Sequence, residues 1–522
     1  MKSVNIIGAG ISGLCAAIEL ARKNIASNLI SSMPSERAQS VLAEGGINAV
    51  LDTMGEHDSL EEHFSDTMKG GVYLEDPVAV RDLVSSAPDI VHTLSSLGVP
   101  FHTQDGKIIQ RNFGGQKKKR TAYAKSSTGK MIMTALIDQV RMYESEGLVR
   151  RYPHHVLSRL DVRNGALISV TVNDLWSSKS ICFSGPCILC TGGLNGLFSP
   201  NTTGTVLNTG NAAAIAFSSG VIFSNLEFIQ FHPTTVEISG KRMLISEAAR
   251  GEGARLFTYI DGKKSYFMEE KYPELGNLMP RDVISREMAL LEREKHISKF
   301  YLDTSVIKEH VWDEKLSDMR KEIISHLNLD PAKNPIPVSP GIHYFMGGLR
   351  VDNNHETNIK GLFAAGEAAC KYHGANRLGG NSMLGAFYGG MVAGRNAAKQ
   401  ASNVKIKEGT YEDECLENSL GSDELSKILF SGLKIIRDEE TMLRCLGKID
   451  DLITSYTPDS IDRKRALLGY AFLESALSRK ESRGSHYRLD YPHPHDDFRK
   501  RSCAFIEKGK VKITFEDLEV HT

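Results

Sequence analysis

The chain has 522 residues, 41% of them hydrophobic and 24% charged, with a formal net charge of -1. That length exceeds one simple core and calls for two to four structural units, while the near-zero charge provides no general field for nucleic acid or an anionic membrane. No apolar stretch reaches the roughly 18 residues of a membrane span and the first ten lack a signal core, so the expectation is a protein without direct membrane insertion.

The chain opens with VNIIGAGISGLCAAIELARKN, residues 4–24. A short apolar strand runs into Gly8-Ala9-Gly10-x-x-Gly13 and then an amphipathic helix, the pattern of a βαβ dinucleotide site. Gly8 turns the chain, Gly10 admits a pyrophosphate and Gly13 packs the helix against the sheet. The acid usual after a second strand is missing, because residues 27–37 read SNLISSMPSER with Ser31 and Ser32 in that place. This departure weighs against NAD. Eight cysteines are scattered, and Cys187 and Cys190 form one C-x-x-C inside the apolar GPCILCTGGL. A buried strand is expected there rather than a redox or zinc pair, and a reduced, intracellular setting follows.

Further glycine clusters follow strands near residues 191 and 366. The second begins a small-residue helix at about residue 381. Three such elements over nearly 400 residues imply one nucleotide-binding domain with a large insertion. The expected fold is α/β: a Rossmann-like FAD-binding domain at 1–232 and 343–405, an inserted α+β capping domain at 233–342, and a helical domain with its tail at 415–522. The boundary falls in the polar ASNVKIKEGTYEDECLENSLGSDE (401–424), and helical periodicity resumes after it. Beyond 483 the reading is irregular, ending in one strand, KVKITFEDLEV.

Several stretches then resemble one family. GAGISG, AEGGINAV, FGGQKKKRT, EFIQFHPTT, EAARGEG, MPRD, HYFMGG, GLFAAGE and HGANRLGGNS occur in unbroken order. They are similar to the flavoprotein subunits of fumarate reductase and succinate dehydrogenase, with L-aspartate oxidase a close relative. The resemblance implies FAD, held by Gly8, Gly10, Gly13, Ser40, Gly45, Gly46, Glu367, Asn381 and Ser382. It implies a C4 dicarboxylate clamped by His232, Ser246, His343 and Arg377, with Phe113 against it. Arg281 would deliver a proton to the substrate carbon, refilled through Glu247 and Arg250. A guanidinium pKa above about 12 makes that role workable only for a desolvated, aligned group.

Membrane-bound members carry a histidine joined covalently to the flavin. Aligning on AEGG puts Gln39 there, so non-covalent FAD is expected, favouring fumarate reduction over succinate oxidation. Aspartate oxidases place a glutamate near Asn112 and Phe113, and its absence favours a dicarboxylate over L-aspartate. Lys117, Lys118, Lys119 and Arg120 read as a solvated basic loop, or as a patch for an acidic electron-transfer partner. No cysteine cluster provides an iron–sulfur centre, so electrons are expected from an iron–sulfur or other electron-transfer protein or a diffusible reductant, or in reverse to leave to oxygen or a quinone. The readings are thus a cytoplasmic fumarate/succinate oxidoreductase, peripheral on the membrane through a partner if membrane-associated; L-aspartate oxidase; or an electron-transfer flavoprotein subunit of a larger membrane-associated complex.

Overall fold

The computed structural model describes residues 2–124, 127–403, 405–410 and 423–518. Most of the polar 401–424 stretch, where a boundary was expected, lies outside them. The first strand, β1 (Lys2–Ile7), is followed by α1 (Ile11–Arg22) and β2 (Ala26–Ser31). The next pieces of this unit are α2 (Leu60–Gly70), β3 (Val149–Pro153) and β4 (Cys187–Leu189). Cys187 and Cys190 are buried, and burial pushes both thiols up, so they remain inert core groups.

Next come β5 (Ile229–Ile238), α3 (Arg281–Lys295) and β6 (Ile336–Phe345). They are followed by β7 (Leu362–Ala364) and α4 (Asn381–Ala397). The nucleotide sheet has the order β7-β4-β1-β2-β3 and is parallel throughout, with Ser402–Asn403 added antiparallel to β1. Val4, Ile6 and Leu29 bury one face of it against Leu14, Ile18 and Leu384 of the helices. An apolar run buried on both faces is what a parallel strand requires.

A second sheet forms the insertion. Its order is Lys241–Leu244, β5, β6, Phe300–Asp303, Arg255–Ile260 and Lys263–Ser265. It has its own core around Trp312, Leu256, Ile284 and Met288. The expected boundaries at 232/233 and 342/343 fall inside β5 and β6, so these strands are the two stems of the insertion.

The helical part consists of α5 (Asp423–Gly432), α6 (Glu439–Ser455) and α7 (Ile461–Ser478). The tail differs from expectation. It carries two long strands, β8 (Lys500–Glu507) and β9 (Lys510–Asp517), paired as a hairpin on Phe223–Ser224. The sequence hid β8 because its apolar run (503–506) is short and directly follows Lys500, Arg501 and Ser502, the last two buried, with the Ser502 hydroxyl bonded inside the fold.

The basic run also differs from both expectations at its last residue. Arg120 is wholly buried, paired at 2.8 Å with both Asp58 and Asp66. Lys119 pairs with Glu56 at 3.0 Å, and the Lys118 Nζ donates to the Glu56 carbonyl. The run therefore fastens its own loop.

Candidate active site

The nucleotide cradle starts at the end of β1. A Cβ on Gly8 would stand 2.1 Å from the Cys190 carbonyl oxygen, and one on Gly13 would stand 1.9 Å from the Gly8 oxygen. These two glycines let the turn close on itself. Gly10 differs, since a Cβ there would meet only the Ser40 hydroxyl at 3.1 Å and Ala38 at 4.0 Å. Its open side adjoins the first turn of α1, where Gly10 has no side chain to cap the helix and the Ile11 amide alone is taken by a side chain, the Ser40 Oγ at 3.3 Å.

Helix α4 has the same form, with Gly380 at φ 83° as its N-cap and no side-chain cap. Two uncapped helix starts leave amide donors for phosphate and for flavin carbonyls. Asn381 at the first position of α4 is itself held. Its Oδ1 accepts from Asn48 Nδ2 at 2.8 Å and lies 3.2 Å from His63 Nε2, while its Nδ2 donates to Thr67. Ser382 follows it on the helix. Gly45 and Gly46 pack beside Phe113 and Thr121. Glu367, just beyond β7, accepts from the Phe345 amide at 3.0 Å. Burial raises its carboxyl to about 7, against the pull of that amide and of Arg377. An acid with acceptor capacity left suits a ribose-type hydroxyl pair. Glycine turns, uncapped helix starts and this acid together fit a flavin dinucleotide.

The second half of the site is assembled where the insertion meets this unit. His232 lies within β5 and His343 within β6, their rings 5.2 Å apart between centroids. The His343 Nδ1 sits 2.8 Å from the Thr203 hydroxyl. The His232 Nδ1 faces Thr234, leaving the buried Nε2 without a partner. Burial and then Arg281 push both rings well below the usual histidine range, so both are neutral.

Arg281 opens α3, and its Nε and Nη2 donate to one oxygen of Glu247 at 3.0 and 2.5 Å. The other Glu247 oxygen accepts from Arg250 at 3.2 Å and from the Gly114 amide at 3.0 Å. Burial alone would raise the Glu247 carboxyl. Arg281 and Arg250 outweigh it and hold the group down at about 2. The pair at i,i+3 is thus one link in a chain that ends on Arg281. Arg377 stacks 4.4 Å over the Tyr344 ring, and its Nε is buried and unpartnered. Ser246 and Phe113 are both buried, the phenyl ring lying beside Gly45 and Gly379.

Every dicarboxylate and proton-relay residue expected from the sequence falls in this one region. Sequence reasoning missed Gln230. Its Oε1 accepts from Arg281 at 3.2 Å and from Arg377 at 3.0 Å. Its Nε2 donates to Asn376 Oδ1 at 2.7 Å and to the Arg377 carbonyl at 2.8 Å. A signal was present, since Gln230 precedes His232 by two and so shares its strand face.

With this geometry in place, comparison with known proteins gives a consistent answer. Residues 3–383 match the family described as FAD binding domain, and residues 463–522 match the one described as fumarate reductase flavoprotein C-term. The succinate dehydrogenase flavoprotein subunit of Bacillus subtilis is 37% identical over 540 residues, covering 95% of this chain and 92% of that protein. The fumarate reductase flavoprotein subunit of Haemophilus influenzae is 32% identical over 586 residues, covering 100% of this chain and 95% of that protein. The solved structure of a point mutant of E. coli quinol fumarate reductase superposes with a TM-score of 0.89 at 29% identity, covering 100% of this chain and 98% of that one. This chain is an FAD-dependent oxidoreductase and belongs to the family of succinate dehydrogenase and fumarate reductase flavoprotein subunits.

Proposed function

We propose that the protein interconverts fumarate and succinate with bound FAD, and that reduction of fumarate is the favoured direction. The observation that carries the substrate class is the balance of charge in the pocket. Arg281, Arg250 and Arg377 are buried together with one strongly ionised carboxylate, Glu247. Three cations against one anion leave room for a dianion, the charge of a C4 dicarboxylate.

The unpartnered Nε of Arg377 and the unpartnered Nε2 of His232 supply donors for two separate carboxylates. In this reading His343 and Arg377 hold one carboxylate, while His232 and Ser246 hold the other, with Phe113 closing the pocket. Bound FAD supplies the hydride for one alkene carbon, or takes it in reverse. Arg281 delivers the proton to the other carbon and recovers it through Glu247 and Arg250. Its two bonds to Glu247 provide the alignment that so weak an acid needs. The arginines stabilise the charge that develops on the carboxylates, and the insertion (233–342) excludes water from a flavin-binding unit (1–232 and 343–405) that rests on the helical part (415–522).

Gln39 supports non-covalent FAD. An amide lacks the nucleophilic nitrogen of imidazole, and its oxygen is engaged by the Thr205 amide at 2.6 Å. The electrons would come from an iron–sulfur or other electron-transfer protein. Among the described residues no helix is long and apolar enough to cross a membrane, so a cytoplasmic or partner-docked position is the proposal.

The test is steady-state kinetics on one preparation. Fumarate reduction with reduced methyl viologen should exceed succinate oxidation, and L-aspartate should be a poor substrate, because neither Asn112 nor Phe113 brings an anion for its ammonium. A higher kcat/KM for peroxide formation from L-aspartate than for fumarate reduction would establish the aspartate oxidase reading instead. Flavin left on the denatured protein after acid precipitation would reject non-covalent FAD.

A further inference from the structure

The residues next to the two substrate-facing arginines are bonded to each other. Asp282 follows Arg281 in the first turn of α3, and Asn376 precedes Arg377 in the glycine-rich loop. The Asn376 Nδ2 donates to Asp282 Oδ1 at 2.9 Å and to the Gly70 carbonyl at 3.3 Å. The Asn376 Oδ1 accepts from Gln230 at 2.7 Å. Both amide hydrogens and the amide oxygen of Asn376 are thus in use, so the group has one workable orientation.

The bond crosses between the two units. Asp282 belongs to the insertion, with its own core, while Asn376 and Gly70 belong to the flavin-binding unit. Gln230, on the stem strand β5, bonds Asn376, Arg281 and Arg377 together. The resulting circuit is Asp282, Asn376, Gln230 and back to Arg281. Within it Gln230 sets the arginines' side chains directly, whereas Asp282 and Asn376 act on their backbone neighbours.

We propose that Asp282 and Asn376 form a cross-unit latch that positions Arg281 and Arg377 relative to one another, so that proton donor and carboxylate clamp come into register only when the insertion is seated. Asp282 and Asn376 are positioning residues, not catalytic ones: neither is required to touch the substrate. The inference rests on the fumarate/succinate reading for its kinetic arm alone. A misplacement on the order of 1 Å in a proton donor costs up to about a hundredfold in turnover, so breaking the latch should act on kcat more than on binding.

The experiment is a double-mutant cycle on the full-length, FAD-loaded protein, using Asp282→Ala, Asn376→Ala and both together, with Asp282→Asn as the conservative variant. Each alanine should lower kcat/KM for fumarate about tenfold, with most of the loss in kcat, and the double variant should be no worse than the poorer single one. Asp282→Asn should stay within about threefold of wild type, because its amide oxygen still accepts from Asn376. In parallel, amide hydrogen exchange without substrate should quicken over residues 281–285 in both alanine variants, while flavin content stays stoichiometric. Losses that multiply to about a hundredfold in the double variant, or unchanged exchange over 281–285, would overturn the latch. Failure of the wild-type protein to reduce fumarate would reject the functional reading, and the exchange measurement would still decide the latch.

Discussion

The nucleotide cradle and the proposed dicarboxylate pocket lie side by side, yet they are built from different materials. The cradle uses backbone: Gly8 and Gly13 close a turn, and uncapped helices α1 and α4 present amides. The pocket uses polar and charged side chains drawn from β5, β6, α3 and the loop before α4, which are far apart in the sequence. A backbone site tolerates almost no added atom at its tight points, whereas a side-chain site fails in degrees. The difference predicts how each breaks.

Gly13→Ala should have the largest effect. The new methyl would sit on the Gly8 oxygen, a backbone atom that cannot swing away. The purified variant should lose flavin absorbance altogether and melt at a lower temperature, consistent with overpacking that costs about 1–3 kcal/mol or more. Stoichiometric flavin in this variant would show that the cradle has slack.

Arg281→Lys should leave flavin in place but lower fumarate turnover about a thousandfold, while the dicarboxylate dissociation constant changes less than tenfold. An ammonium retains the charge but cannot bond Glu247 through two nitrogens and also reach substrate. Turnover within threefold of wild type would assign the proton to another group. Gln230→Leu should cost less, about ten- to a hundredfold in kcat/KM, by removing the acceptor shared by two cations. Stopped-flow reoxidation of the reduced protein by fumarate measures it.

The smallest effect is one of pH. Glu247 is held at about 2, below its ordinary value of 4.5, so its ionised form favours the folded state. That contribution is complete above about pH 4.5 and is lost as pH falls toward 2. The melting difference between wild type and Glu247→Gln should therefore be level from pH 7 to 5 and shrink only below about 4.5. A difference that shrinks already between pH 7 and 6 would mean that Glu247 is not held as an ion.

The same contrast governs what the sequence disclosed. Gly8, Gly10 and Gly13 lie within six residues and perform their task locally, so strand, turn and helix were readable from pattern alone. His232, His343, Arg281 and Arg377 span about 145 positions, and only the resemblance brought them together. Asn376 stayed hidden because an amide in a glycine-rich stretch gives no signal until its partners are known, and the only trace of Gln230 was its place on the strand face of His232. Arg120 was misread for a related reason. Its acids, Asp58 and Asp66, are more than fifty residues away, so a buried triad looked like one end of a basic surface run. Strand β8 was lost because its inward polar groups break the alternation expected of a strand.

The strand order of the nucleotide sheet has a consequence for biosynthesis. Strand β1 leaves the ribosome first, but its neighbour β4 begins at Cys187 and the outer strand β7 at Leu362. At about 5–20 residues per second, roughly 20 to 70 seconds separate β1 from β7. Throughout that interval the sheet lacks its outer strand, and the second amide-bearing helix start, at Asn381, has yet to be made. Flavin capture is therefore a late event in the life of the nascent chain.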